Sequence, residues 1–308
     1  MMKKLISALL AFILILALSV SIAAADPIDT KKESSLTLVY KFNEKYFEGL
    51  EIKTFKIAEV FEDGTFELCS PFDMMPVSIH GITTQEEWNI VTSTLASYAK
   101  ADKLEPDAKA VTDENGTVKF EKLSPGMYLT LGAKMETENE ITKFENFITV
   151  IPSEKPEGGH NYDVTAYPKC ESFIPTVDEV TYKVVKQWAD TGYTEKRPES
   201  VEIDILRDGE LYKTERLSPE NNWSLSWTCE NDGAEWQAVE RNVPEKYTVT
   251  VSTKVKTIII TNTYDDPDSS APQTGDTLVL LPYILATGFA GGVIVIIAIW
   301  RKRTEEGK

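Results

Sequence analysis

The sequence predicts a mainly β protein with two β domains in tandem, the first carrying an inserted helix, and a C-terminal transmembrane helix. Three observations predict it. Short runs of alternating apolar and polar residues, separated by turn residues, recur between residues 34 and 264. Residues 84–100 instead have apolar residues at helical spacing. Residues 277–300 form an uncharged apolar run, which as a helix would be about 36 Å long and would span a bilayer.

The N-terminus has the pattern of a secretory signal peptide. A charged start, which contains Lys3 and Lys4, precedes an apolar run over residues 5–22. Small residues follow, and Ala25 ends an A-x-A cleavage site. We therefore expect residues 1–25 to be removed, which leaves enough chain for two ordinary domains.

Composition excludes several classes of function. The formal net charge is −17, from 32 basic and 49 acidic residues, and such a chain repels nucleic acid. The three cysteines, Cys69, Cys170 and Cys229, form no C-x-x-C pair and do not predict a disulfide scaffold. A single disulfide between Cys69 and Cys170 is the alternative. No metal cluster, cofactor motif, phosphate loop or catalytic triad pattern is present in the sequence, so we predict no metal, no cofactor and no enzyme activity.

The first predicted domain comprises residues 34–169. Its opening strand places Leu36 and Tyr40 on one face. In the next strand Ile52 is out of phase with Phe55, which predicts a bulge between them. Further strands are predicted over residues 116–120, 128–131, 147–151 and 162–167.

The predicted helix interrupts this β pattern. Trp88, Leu95 and Tyr98 recur close to helical spacing, and Thr84 with Glu87 forms a capping-box pattern at the start. We interpret the segment as one helix packed on the β core.

The second predicted domain comprises residues 177–264, after a linker over residues 170–176. Its first strand places five residues on one face, and the only charged one is Lys186; the others are Val180, Tyr182, Val184 and Trp188. A lone buried ammonium group is costly, so a partner for Lys186 is required.

Later strands of this domain supply partners. Residues 201–206, a turn over 207–210, and residues 222–227, 235–240 and 257–264 complete the predicted strands. Glu240 shares a face with Trp236 and Ala238, and Asn262 shares a face with Ile258 and Ile260. Lys186, Glu240 and Asn262 are thus three polar side chains on predominantly apolar faces.

Four motifs of the second domain resemble B-type domains of collagen-binding surface proteins (Cna-B-like domains), which are small immunoglobulin-like sandwiches. They are K-x-W at Lys186, N-N-W at residues 221–223, E-x-x-x-V-E ending at Glu240, and I-x-N-T-Y around Asn262. The run F-x-x-L-x-x-G-x-Y over residues 120–128 is similar to a strand–turn–strand of the same family. The resemblance implies that the two β domains are immunoglobulin-like (Cna-B-like) β-sandwiches in tandem.

The resemblance implies an intramolecular isopeptide bond. In that family the lysine amine attacks the asparagine carboxamide, ammonia leaves, and the glutamate relays protons. Lys186 and Asn262 would form the bond and Glu240 would be the catalytic relay; a hydrogen-bonded trio without a bond is the alternative. Alignment of the first domain places Tyr40 and Gly132 at the lysine and glutamate positions, so no bond is expected there.

The tail, residues 265–308, has three parts: a Pro-x-Thr-Gly motif, the transmembrane segment 277–300, and the basic residues 301–303. The motif residues are Ala271, Pro272, Gln273, Thr274 and Gly275. The tail resembles the sortase-recognised cell-wall sorting signal of Gram-positive surface proteins, with Ala271 in place of the usual leucine. The resemblance implies a secreted protein, membrane-inserted at first and then attached by sortase to a peptidoglycan precursor; a plain membrane anchor is the alternative.

Residues 164–169, V-T-A-Y-P-K, are similar to the V-x-V-Y-P-K pilin motif of sortase-assembled pili. The resemblance implies that Lys169 joins one subunit to the next. Ala166, His160 and Cys170 depart from the family pattern, and a solvated lysine at a strand end is the alternative.

Together these resemblances predict a structural cell-surface protein, a minor or basal subunit of a sortase-assembled pilus, with other pilin subunits as partners. The alternatives are a backbone pilin that uses Lys169 for polymerisation, and a monomeric wall-anchored adhesin that binds a host matrix protein.

Overall fold

A computed structural model of the protein describes residues 26–176 and 178–265. They belong to one compact unit that ends at Asp265. The predicted signal peptide lies outside the described residues, as do residues 266–308, which hold the motif, the transmembrane segment and the basic residues of the predicted sorting signal. In the described part of the chain, no helix is both long and apolar enough to cross a membrane.

The first domain contains fifteen strands and one α-helix. The strands are β1 (Ser34–Val39), β2 (Lys41–Phe42), β3 (Lys45–Tyr46), β4 (Glu51–Val60), β5 (Phe66–Leu68), β6 (Ala108–Val111), β7 (Thr117–Leu123), β8 (Gly126–Thr130), β9 (Lys134–Glu136), β10 (Ile141–Phe144), β11 (Phe147–Ile151), β12 (Ser153–Glu154), β13 (His160–Asn161), β14 (Asp163–Ala166) and β15 (Cys170–Phe173). The helix, α1, is Gln85–Ala101.

Two sheets form the sandwich of the first domain. One has the order β14-β1-β7, in which the first strand pairs in parallel with β14 and antiparallel with β7. The other has the order β11-β8-β4-β5, with β6 also paired to β4. Leu36, Tyr40 and Ile52 meet Tyr128 and Ile151 in the apolar core between them.

The predicted helix is confirmed, together with its cap. The Thr84 side chain accepts from the Glu87 backbone N–H, and the Glu87 carboxylate accepts from the Thr84 backbone N–H. This capping box satisfies N–H groups that the first helical turn would otherwise leave unpaired.

The predicted bulge near Ile52 is wrong in its position. Ile52 belongs to the core between the two sheets, whereas Phe55 and Ile57 belong to a second apolar cluster that includes Leu95 of α1. The phase change arises because β4 is buried on both faces. The register shift against β8 lies further along, between Lys56 and Ala58.

The predicted linker over residues 170–176 is also wrong in part. Cys170–Phe173 is a strand, β15, which pairs antiparallel with β10 of the first domain. The first domain therefore continues past Lys169, and its last strand follows that lysine directly.

The second domain contains seven strands: β16 (Glu179–Ala189), β17 (Val201–Arg207), β18 (Glu210–Leu217), β19 (Ser224–Glu230), β20 (Trp236–Arg241), β21 (Tyr247–Lys254) and β22 (Thr257–Tyr264). One sheet has the order β19-β16-β22-β21 and the other β18-β17-β20. The first strand, β16, again pairs in parallel with the last and antiparallel with a middle strand.

The two domains share one apolar cluster. Leu95 and Ala99 of α1 belong to the same cluster as Val239 on β20 and Val251 on β21. The inserted helix therefore packs against both domains, and not on the first alone.

Candidate cross-linking site in the second sandwich

Lys186 lies in the core of the second sandwich. The predicted face of β16 is confirmed, because Tyr182, Val184 and Lys186 are buried. On the other face, Lys183 and Gln187 are exposed and Val185 is half-buried. The Lys186 side chain has no solvent-exposed area. Strand alternation thus carries this amine inward with its apolar neighbours.

Glu240 approaches from the opposite sheet. It lies on β20, where it is opposite Ile203 of β17, and only 1% of its surface is exposed. Val239 and Gln237, which point to the other face of β20, are buried as well. The sequence predicted one buried face for this strand, and the structure has two.

Asn262 lies on β22, next to β16. The parallel register pairs Lys186 with Ile260 and Trp188 with Asn262, so the asparagine is one step diagonally along from the lysine on the same inward face. Asn262 is fully buried. The structure therefore brings all three predicted residues to one place.

Glu240 bridges the other two side chains. The Asn262 Nδ2 donates to Glu240 Oε1 at 2.8 Å, and the Lys186 Nζ lies 3.6 Å from Glu240 Oε2. The Lys186 Nζ also donates to the Gln187 carbonyl at 2.8 Å. Glu240 Oε2 and Asn262 Oδ1 are buried without a hydrogen-bond partner among the described residues. Two buried oxygens without hydrogen-bond partners are a costly arrangement for a site that only supports the fold.

Burial moves both titrations toward the neutral forms. Desolvation lowers the pKa of Lys186 to about 8. Desolvation also raises the pKa of Glu240 above its ordinary range, against the opposing effect of the Lys186 charge. A neutral amine beside a protonated carboxyl is thereby within reach near neutral pH.

An aromatic ring lies against the amine, and two further rings pack on that ring. The Lys186 Nζ lies 3.9 Å from the centroid of the Trp188 ring. Trp223 and Tyr247 pack edge-on against Trp188, with centroids 5.3 and 5.4 Å away. Of these, Tyr247 was missed by the sequence analysis because its strand was not predicted, although Tyr247, Val249 and Val251 alternate clearly.

A second polar group at the end of β16 was also missed. Asp190 is buried and accepts two hydrogen bonds from Arg197, at 2.7 and 2.5 Å, and one from the Tyr247 hydroxyl at 3.0 Å. The hydrogen bonds from Arg197 lower the pKa of Asp190. Asp190 thus holds Tyr247 against the Trp188 ring.

The aligned positions of the first domain lack this chemistry. Tyr40 is buried, its hydroxyl has no hydrogen-bond partner among the described residues, and its ring packs edge-on to Phe144 at 4.9 Å. The Gly132 N–H donates to Asn146 Oδ1, and a Cβ at Gly132 would lie 2.3 Å from the Phe144 carbonyl oxygen. Only glycine fits at position 132, which aligns with Glu240 of the second domain.

Lys169 and the cysteines lie elsewhere. Lys169 is exposed between β14 and β15, and its carbonyl accepts from the Glu145 N–H at 2.9 Å. It borders a cavity of about 340 Å³ that Trp88, Phe147 and Tyr167 also line. Cys69, Cys170 and Cys229 are free thiols, so a Cys69–Cys170 disulfide is not formed.

Comparison with known proteins places the second domain in a family. Residues 182–263 match the family described as the Cna protein B-type domain. The chain is 32% identical over 139 residues to the collagen adhesin of Staphylococcus aureus, a match that covers 45% of this chain and 11% of the adhesin. The chain thus spans only a small part of that relative.

Solved structures of a collagen-binding surface protein and of a pilin also align with this chain. A single B repeat unit of the Staphylococcus aureus collagen-binding surface protein aligns with a TM-score of 0.27 at 15% identity, over 76% of this chain and 99% of that one. The major pilin SpaD of Corynebacterium diphtheriae aligns with a TM-score of 0.28 at 15% identity, over 77% and 66% of the two chains. The family match confirms the predicted Cna-B-like character of the second domain.

Proposed function

We propose that this chain is a structural protein of the Gram-positive cell surface whose second sandwich closes on itself through an isopeptide bond between Lys186 and Asn262. The observation that carries the proposal is the contact of one carboxyl group, Glu240, with both the amine and the carboxamide inside a buried core. The match of residues 182–263 to Cna protein B-type domains supports the same class of protein.

The bridging position of Glu240 suits a proton relay. Glu240 Oε2 faces the Lys186 amine and takes a proton from it, which leaves a neutral nucleophile. The amine then attacks Cγ of Asn262, and a bond forms between Lys186 Nζ and that carbon. Glu240 Oε1, which already accepts from Asn262 Nδ2, delivers a proton to that nitrogen. The Cγ–Nδ2 bond breaks and ammonia leaves. The Lys186 nitrogen, which still holds one proton more than an amide, then gives that proton to the Glu240 carboxylate, so Glu240 ends protonated.

The fold supplies the remaining requirement, which is proximity. The parallel pairing of β16 with β22 holds nucleophile and carboxamide on neighbouring strands, and the apolar core excludes competing water. The reaction consumes its own side chains once, so the chain is a structural protein and not a turnover enzyme.

Intact mass spectrometry tests the bond. The purified protein should be about 17 Da lighter than its sequence mass, because one ammonia is lost. Lys186→Met should restore the full mass. Lys183→Met is the matched control, because Lys183 is exposed on the other face of the same strand and its replacement should leave the loss of ammonia unchanged. An unshifted mass for the unaltered protein would refute the bond.

Attachment to the cell wall by sortase is the second part of the proposal, and it rests on the sequence of residues 271–275. The sortase thiolate would attack the Thr274 carbonyl, release the chain from Gly275 onward, and transfer Thr274 to a peptidoglycan precursor. Thr274→Ala should therefore leave the protein in the membrane fraction of the cell. Covalent recovery of that variant with the wall would contradict the proposal.

Within this setting we propose a minor or basal pilus subunit, and a backbone pilin is the second candidate. The exposure of Lys169 favours the second candidate, because an acceptor amine has to reach another subunit. Immunoblots of wall extracts test the role of Lys169. Lys169→Ala should abolish or shorten a high-mass ladder if Lys169 joins subunits, and an unchanged ladder would leave only the C-terminal attachment. A single band near the monomer mass would instead favour a monomeric adhesin that binds a host matrix protein.

A further inference from the structure

The strand that carries Glu240 is held from outside its own domain. β20 is an edge strand of the β18-β17-β20 sheet. The buried Tyr98 hydroxyl, on α1 of the first domain, donates to the Glu240 backbone carbonyl at 3.0 Å. The proposed relay residue thus has its backbone fixed by the first domain and its side chain directed into the second.

Ion pairs hold the same strand at both ends. Before β20, Glu235 pairs with Lys100 at 2.8 Å. At its end, Arg241 contacts Asp102 at 2.6 Å and Asp204 of β17 at 2.7 Å. Lys100 and Asp102 both lie at the C-terminal end of α1, next to Tyr98. Side chains from the last turn of the helix and from its C-cap residue therefore contact residues at both ends of β20.

The neighbouring edge of the other sheet is closed in the same way. β21 is the edge strand of the β19-β16-β22-β21 sheet. Its Val251 N–H donates to the buried Thr94 hydroxyl at 2.8 Å, and its Val249 N–H donates to the Pro76 carbonyl at 2.7 Å. First-domain groups thus satisfy backbone groups on both edge strands at the side of the sandwich where Glu240 lies.

From these contacts we infer that the first domain completes the bond-forming site of the second, and that Tyr98 is a positioning residue for Glu240. The inference rests on the proposed isopeptide reaction. Tyr98 touches neither reacting atom; it acts by restricting the backbone that sets the distance from the Glu240 carboxyl to Lys186 and Asn262. The bond accordingly forms only after the two domains have docked.

The test follows bond formation in the full chain. Protein is synthesised in a cell-free pulse, chased, and quenched in denaturant at intervals for intact mass measurement. Tyr98→Phe removes only the hydroxyl, and the rate of ammonia loss should fall roughly five- to tenfold, the factor that one buried hydrogen bond supports.

Two controls separate positioning from packing. Tyr40→Phe also removes a buried hydroxyl, but one without a partner among the described residues and away from β20, so the rate should be unchanged. Lys103→Ala removes an exposed ion pair to Glu210 between the same two domains without touching β20, and it should also leave the rate unchanged.

Protease resistance at each time point measures the folded fraction separately. A role of Tyr98 in stability alone would lower the amount of folded chain while the folded chains still lost ammonia at the original rate. That result, or a Tyr98→Phe time course that matches the unaltered protein, would overturn the inference. Absence of ammonia loss in the unaltered protein would instead refute the proposed bond itself.

Discussion

The two sandwiches share a strand order but differ in what they bury. In each, the first strand pairs in parallel with a late strand and antiparallel with a middle strand: β14-β1-β7 in the first, β22-β16-β19 in the second. Every buried polar residue in the described part of the first domain is a serine or threonine. The buried polar residues of the second are all ionisable or carry an amide: Lys186, Asp190, Asp204, Gln237, Glu240 and Asn262.

The difference shows that a shared strand order does not determine which polar side chains the core contains. Tyr40 fills its position with apolar surface and an unpaired hydroxyl, whereas Lys186 fills its position with an amine that requires Glu240. Burial of an unpaired hydroxyl costs a modest free energy, whereas burial of an unpaired charge costs far more. The second sandwich therefore bears a desolvation cost that a covalent bond between Lys186 and Asn262 would remove.

The largest effect is expected from Glu240→Ala, which should make the second sandwich resemble the first. Without the relay the bond stays unformed and the chain keeps its full mass. By the loop-entropy description of cross-links, the free energy of unfolding falls by on the order of 4–5 kcal/mol. Calorimetry should show this as a Tm lower by roughly 10–20 °C.

The matched control for this variant is Glu202→Ala on β17, where the side chain is exposed. Its effect should stay within about 0.5 kcal/mol. A Glu240→Ala protein with the mass and Tm of the unaltered chain would show that Glu240 is not required for the bond or for the stability of the second sandwich.

The converse change is Tyr40→Lys, which places an amine at the corresponding position of the first sandwich. No carboxyl group is buried in the described part of that domain, so the ammonium would be unpaired. We expect no loss of ammonia and a free energy of unfolding lower by about 3 kcal/mol, measured by urea denaturation. Tyr40→Phe should be nearly neutral, because that hydroxyl has no partner to lose. A Tyr40→Lys protein of unchanged stability would show that this core tolerates charge.

A subtler expectation concerns the pH dependence of bond formation. The Lys186–Glu240 pair is competent only when it holds one proton between the amine and the carboxyl. At lower pH both groups are protonated and the amine cannot attack. Above a pH of about 8, the lowered pKa of Lys186, the pair loses its last proton and the leaving nitrogen has no acid.

The rate of ammonia loss in the pulse–chase measurement should therefore pass through a maximum. Because burial raises the pKa of Glu240, the fall on the acid side should begin above the range of an exposed glutamate. A rate that rises steadily with pH through and beyond this window would show that Glu240 does not act as the acid.

Much of the site could be predicted because strand alternation is a local signal. The positions of Lys186, Glu240 and Asn262 follow from a period of two along three separate strands, and the helix follows from its spacing and its cap. β18 (Glu210–Leu217) was missed because it is a largely exposed edge strand with little apolar alternation. The aromatic cluster beside Lys186 could be predicted only in part, because Tyr247 lies on a strand that was not predicted.

What sequence patterns could not supply is contact between distant segments. The out-of-phase Ile52 suggested a bulge, but the cause was burial of β4 on both faces. Likewise, β20 is buried on both faces where one was predicted. The packing of α1 on the first β core was predicted, but its contact with β20 was not, because Tyr98 and Glu240 lie 142 residues apart in the sequence.

The parallel pairing of the first strand of each sandwich with a late strand has a mechanical consequence. A chain pulled at its two ends loads β16 and β22 in shear, so that the seven residue pairs from Lys183–Thr257 to Ala189–Thr263 resist together. In the first sandwich only four pairs, from Ser35–Asp163 to Leu38–Ala166, share the load between β1 and β14. Under tension the first sandwich should therefore yield before the second, and the molecule would combine an extensible element with a rigid one.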